Sequence, residues 1–191
     1  MNTTSHKVLD LSVRNDMYIH FQHMYWRMLA HIEINGNHYM VRAYFASPDD
    51  PNNNHNTYLE ILNVNDPLKP WTMAIVDRSF LHQDKLSITD FKVYLDQIYI
   101  LDFHSGMIRL MITDAEDLVI TGRYRSDSGF TKMGIYSDNY DNSFILAFAN
   151  RHAIYEVDWT NHISPKIIAK YALFDASNVT QIWINEQYVI A

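Results

Sequence analysis

The sequence predicts an all-β protein of the β-propeller class, built from four-stranded antiparallel blades, and three observations carry that reading. An apolar phrase at residues 97–103 returns at 142–148 and again at 187–191, a spacing of 45 residues each time. Each repeat is made of short apolar runs, with no apolar pattern of helical length. Turn residues punctuate the runs at regular intervals, as in a fold with one small sheet per repeat. With 191 residues, 48% of them hydrophobic, the chain can bury a core, and one domain covering 1–191 is the expectation.

The first unit, 27–77, offers strands Arg27 to Ile34, His38 to Phe45, Tyr58 to Val64 and Thr72 to Asp77. Asn35-Gly36 joins the first two, because both residues accept the positive φ of a tight hairpin. The second unit, 86–124, offers Leu86 to Val93, Ile98 to Phe103, Met107 to Thr113 and Leu118 to Tyr124, with His104-Ser105-Gly106 as its middle turn. The third, 131–172, offers Thr131 to Tyr136, Ser143 to Ala149, Ala153 to Trp159 and Lys166 to Ala172. Residues 8–21 read as two closing strands, Val8 to Val13 and Met17 to Phe21, and 179–191 as two opening ones, Val179 to Asn185 and Gln187 to Ala191. Joined, the ends make a fourth blade that closes a ring. Otherwise the chain is a segment of a larger propeller. At least twelve strands and essentially no helix are expected, with Ile100, Ile145 and Ile190 in equivalent buried positions.

Composition limits the partners. With 22 acidic against 15 basic residues the formal charge is -7, and Arg123-Tyr124-Arg125 is the densest basic spot, so no nucleic-acid partner is expected. The longest apolar run, near Phe144 to Ala149, is far below the ~20 residues of a membrane helix, so no membrane insertion is expected. The absence of cysteine removes disulfides, thiolate metal sites and cysteine catalysis. Lys7, Asp10, Arg14 and Asp16 interrupt any signal-peptide core, which leaves a cytosolic protein or one whose leader was removed or lies upstream. The sequons at Asn2 and Asn178 carry little weight in an Asn-rich chain.

The stretch Leu62-Asn63-Val64-Asn65-Asp66-Pro67-Leu68-Lys69-Pro70 aligns with Val157 to Pro165. A strand running into an Asp-Pro-x-x-Pro turn and then a further strand resembles the LVIVD-type repeats of bacterial and archaeal β-propellers. Asp66 can bond its own backbone, Pro67 sets φ, and Pro70 starts an outer strand where a missing N–H matters least. The resemblance spans residues 27 to 191. Its motif is complete in the first unit, half kept in the third, and without prolines in the second. It implies that each unit's first strand is innermost and its fourth outermost, with Ser79 to Lys85, Arg125 to Phe130 and Leu173 to Asn178 linking rim to axis. It also favours an extracellular or cell-surface setting.

Candidate chemistry is sparse. The insertion Ser47 to Asn56, with Asp49, Asp50 and His55, is rich in oxygen ligands but lacks calcium-loop spacing, and reads as a solvated loop. Asp138 to Asn142 is a weaker signal of the same kind. Asp114, Glu116 and Asp117 sit in a turn expected to be solvated, and His20 and His23 do not share a strand face. His31 and Glu33, alternating with Ile32 and Ile34, are expected to line a wet central channel. Trp26, Trp71, Trp159 and Tyr155 are expected to pack between blades. No catalytic, metal-binding or cofactor-binding residue is nominated, and no cofactor is expected. The leading expectation is a non-enzymatic interaction or scaffold module that binds a protein or cell-surface component through its loops. The alternative is a hydrolase or lyase using Asp, His or Tyr at the channel mouth.

Overall fold

The computed structural model describes residues 24–46, 57–126, 129–138, 143–150, 152–160, 165–172, 182–184 and 189–190. Three antiparallel four-stranded sheets follow one another along the chain, each with its strands in sequence order. The first comprises β1 (Met24–Ile34), β2 (Asn37–Ala46), β3 (Tyr58–Asn63) and β4 (Trp71–Val76). The second comprises β5 (Ile88–Tyr94), β6 (Gln97–Asp102), β7 (Gly106–Ile112) and β8 (Leu118–Arg125). The third comprises β9 (Lys132–Asp138), β10 (Ser143–Ala149), β11 (Ala153–Asp158) and β12 (Lys166–Ala172), and β13 (Trp183–Ile184) pairs with β14 (Val189–Ile190). All twelve strands expected in the three complete units are present, within a few residues of their expected ends. The pieces expected at 8–21 lie outside the described residues, as do the 47–56 insertion, His20 and His23.

Local chemistry explains the turns. Asn35 and Gly36 take φ of 51° and 77°, which closes β1 on β2 in two residues. Asp66 Oδ1 accepts from the Leu68 amide at 3.0 Å, the self-bonded turn expected at the Asp-Pro motif. Gly106, at φ 93°, begins β7, and a Cβ there would lie 2.2 Å from the Tyr124 carbonyl oxygen, so only glycine fits. In all three sheets the third and fourth strands share a register shift, at Ile61/Leu62, Arg109/Leu110 and Glu156/Val157. This recurring bulge marks the sheets as copies of one unit more faithfully than the turn prolines do.

One expectation needs correction. The link after β4 contains a helical turn, α1 (Arg78–Leu81), and Asp77, expected to end the strand, is its N-cap, accepting from the Phe80 amide at 2.9 Å. His82, in the left-handed region at φ 53°, closes the turn.

The core lies between sheets. Ile32, Val41, Leu59, Ile61 and Val76 of the first sheet bury against Ile98, Ile100, Ile108 and Leu110 of the second. The opposite face of the second sheet, with Tyr99, Leu101 and Met107, packs on Leu146, Phe148 and Val157 of the third. Ala147, Ala149 and Ile154 on the third sheet's far face meet Ile182, which leads into β13. Backbones of successive sheets approach at their first strands, β1 to β5, β5 to β9 and β9 to β13. The fourth strands are little buried: β12 is mostly exposed, β8 is mostly half-buried with no buried residue, and Trp71 on β4 is 49% exposed.

Ile100 is fully buried, as expected. The side chains of Ile145 and Ile190 lie outside the described residues. By face and register, the residue of the third sheet that matches Ile100 is Phe148, three positions beyond the 45-residue spacing. Ile100 stands opposite Ile108, and Phe148 opposite Tyr155, each on the face turned to the preceding sheet. The reason is a longer first hairpin in the third sheet: eight residues lie between the partners Phe91 and Ile100, and fourteen between Met133 and Phe148.

Candidate binding site at the turn end of the sheets

Side chains bond the sheets to one another near their first strands. The Ile88 amide of β5 donates to Thr57 Oγ1 at 2.6 Å, and Thr89 Oγ1 donates to the Phe130 carbonyl at 2.9 Å. The Met133 amide of β9 donates to Asp90 Oδ2 of β5 at 3.0 Å. Asp90 is buried, and that desolvation holds its carboxyl above the usual range despite Lys92 and the amide bond. Trp159 is fully buried, with Gly122 beside it and the Arg109 guanidinium 5.8 Å from its ring. Of the four aromatics expected to pack between sheets, Trp159 does so fully and Tyr155 partly, whereas Trp71 lies on β4 and is exposed. Trp26's side chain lies outside the described residues.

Two polar surfaces flank this scaffold. At the β1–β2 end, His31 and Glu33 are exposed and Ile32 is buried, which is the expected alternation. His31 Nε2 lies 3.2 Å from His38 Nδ1, and His38 lies 3.9 Å from Glu33. Among the described residues, no three histidine or acidic side chains are arranged to hold a metal ion. The 114–117 turn is solvated as expected, with Asp114 and Asp117 exposed, and it also bridges sheets. Asn35 Nδ2 donates to Asp114 at 2.6 Å, and Glu116 Oε1 accepts from Asn63 Nδ2 at 3.1 Å and from the Tyr39 hydroxyl at 3.2 Å. Burial and the neighbouring Glu116 carboxylate raise the Tyr39 phenol, so it stays a donor.

At the other end lies a cleft of ≈ 660 Å³ lined by residues from three separate segments. Leu81, His82 and Gln83 come from the link after α1, His104 and Ser105 from the β6–β7 turn, and Arg123, Arg125 and Ser126 from the end of β8. A second hollow, lined by Arg78, Ser79, His82, Gln83 and Asp84, continues from it. The walls are fixed. Asp102 is fully buried under the turn, accepting from the Ser87 amide at 2.7 Å, the Ser105 amide at 2.9 Å and the Ser105 hydroxyl. Arg123 Nη2 donates to the Leu81 carbonyl at 3.0 Å, and the Gln83 side-chain oxygen, turned toward it, accepts from Nη1 at 3.2 Å. Burial, and to a lesser degree the adjacent Arg125 charge, lowers the Arg123 guanidinium from its ordinary value, although it remains charged at any ordinary pH.

In the sequence, Arg123 and Arg125 stand out only as the densest basic spot, and no site is nominated there. Arg78, His82 and His104 join them because the link, the middle turn and the end of the fourth strand all fall at one end of a sheet. That could have been inferred from the strand order, since every second connection returns to the same end. No helix among the described residues is long and apolar enough to cross a membrane. Compared with protein-family models and with curated proteins, the sequence matches none. The fold and site therefore define a class, an all-β protein of serial four-stranded antiparallel sheets with a basic cleft at one turn end.

Proposed function

We propose that the chain is a β-propeller of LVIVD-type repeats, or a segment of one, acting as a non-enzymatic interaction module that presents a turn end of its sheets to a protein or cell-surface component. The observation that carries this reading is the approach of successive first strands to one another, with few or no buried residues on the fourth strands. Sheets radiating from an axis would have this arrangement, and it leaves the connecting turns on two rigid, solvent-facing ends. Thr57, immediately after the 47–56 insertion, is tied to the start of β5 at 2.6 Å, so the insertion rejoins the fold at the cleft end.

The test deletes Asp49 to Asn56 and compares the shortened protein with the full chain by thermal unfolding and by cross-linked capture of partners. An unchanged unfolding profile with a lost partner supports an interaction module that binds through this end. Unfolding on deletion makes the loop structural. Retention of every partner moves the binding face elsewhere. A full chain that captures no partner but turns over ester or glycoside substrates overturns the module reading.

The second reading, a hydrolase or lyase at the channel mouth, draws on one observation, the approach of His31, His38 and Glu33. Imidazole beside carboxylate is the usual material of acid–base catalysis. The side chains of His38 and Glu33 are 46% and 58% exposed, so the group stands in water rather than in a pocket, and this favours the module.

A further inference from the structure

We propose that the cleft between α1, the β6–β7 turn and the end of β8 is a binding site for a small ligand bearing a phosphate or pyrophosphate group. This goes beyond the module reading and does not depend on closure of the sheets into a ring.

Four observations support it. The chain is acidic overall, at -7, yet the cleft and its continuation gather Arg78, His82, His104, Arg123 and Arg125. Among the described residues, the carboxylates near it are Asp84, exposed at the edge of the continuation, and Asp102, buried beneath the turn with its oxygens engaged by Ser87 and Ser105. The ion pairs found among the described residues, Arg42–Glu60 and His38–Glu33, both lie in the first sheet, away from the cleft. Arginine is the side chain suited to oxyanions, since its planar fork donates two parallel bonds. Arg123 is held in place by the Leu81 carbonyl and Gln83, and Arg125, two residues on and exposed, carries its charge toward solvent. Leu81, Met107 and Ile108, all buried, line the cleft beside these polar groups, so it offers apolar contact together with charge and hydrogen bonding.

The test is calorimetric titration of the full chain with inorganic phosphate, pyrophosphate and glycerol 3-phosphate at low salt and pH about 7.5. Pyrophosphate should bind. Arg125→Gln should weaken it about tenfold or more, the size of a lost charge-assisted contact. Lys170→Gln, on the exposed β12, should change nothing. A monoester bound more tightly than inorganic phosphate identifies a phosphorylated metabolite as the ligand, and equal affinity identifies free phosphate. No binding of any of the three, binding unaffected by Arg125→Gln in a folded protein, or binding only of an extended polyanion such as heparin would overturn the proposal.

Discussion

The contact between the first and second sheets is mostly aliphatic, whereas aromatic rings make up nearly half of the contact between the second and third. Ile32, Val41, Ile61, Ile98, Ile100 and Ile108 fill the first. Tyr99, Phe130, Phe148 and Trp159 stand in the second, with Phe130 and Phe148 stacked at 5.1 Å, Tyr124 and Phe148 at 5.6 Å, and Phe130 edge-on to Tyr155 at 5.3 Å. One repeated backbone thus accepts two different fillings, because apolar volume matters more than identity when sheets pack face to face. The aromatic contact has a demand that the aliphatic one lacks: Trp159 needs Gly122. A Cβ at 122 would lie 3.0 Å from the Trp159 ring, so the glycine and the indole occupy complementary space. Burial also pushes the Tyr99 phenol up to about 12, which keeps its hydroxyl neutral at any ordinary pH.

The comparison can be broken most severely at Trp159. Trp159→Ala should cost about 3–5 kcal/mol in chemical denaturation, since a fully buried indole leaves a cavity that sheets cannot collapse to fill. A loss under about 1 kcal/mol would mean that the third sheet is not held by this contact. Ile100→Ala, in the aliphatic contact, should cost about 2–4 kcal/mol, because a smaller side chain is removed from an equally buried site. If Ile100→Ala proved the costlier of the two, the aromatic contact would be the weaker.

Gly122→Ala sharpens the comparison by overfilling one contact. It should cost about 1–3 kcal/mol, and the Trp159→Ala background should reduce that cost because the clashing ring is gone. Equal costs in both backgrounds would show that the backbone at 122, and not the indole, demands glycine.

The smallest effect concerns the polar tie between the same two sheets. Burial raises the Asp90 carboxyl above its ordinary range, so the folded protein holds that proton more tightly than the unfolded chain does. The contribution therefore favours folding fully below the ordinary carboxylate range and is lost as pH rises through the folded value. Asp90→Asn keeps an oxygen for the Met133 amide and removes the charge. It should be as stable as the parent or slightly more so at pH about 7, and the difference should shrink toward pH about 3.5. A clear loss of stability at neutral pH would mean that the charge-assisted bond outweighs desolvation.

Periodicity made the sheets legible. The recurrence of one apolar phrase, Asn35-Gly36, and the Asp66 turn located twelve strands and their order, because strand alternation and turn φ are local properties of a few neighbouring residues. Local chemistry also announced α1 through Asp77, although a strand ending was the simpler reading there. Three things were decided only when distant segments met. The matching of Ile100 with Phe148 depends on hairpin lengths, which shift a register without disturbing the repeat spacing. The bridging role of Glu116 depends on Asn63 and Tyr39 arriving from another sheet. The cleft depends on residues 78, 82, 104, 123 and 125 reaching one end of the second sheet together. Backbone preference acts over a few residues and can be read along the chain, whereas the concentration of charge in a cleft is a sum over space, and only the packed sheets fix which charges are summed.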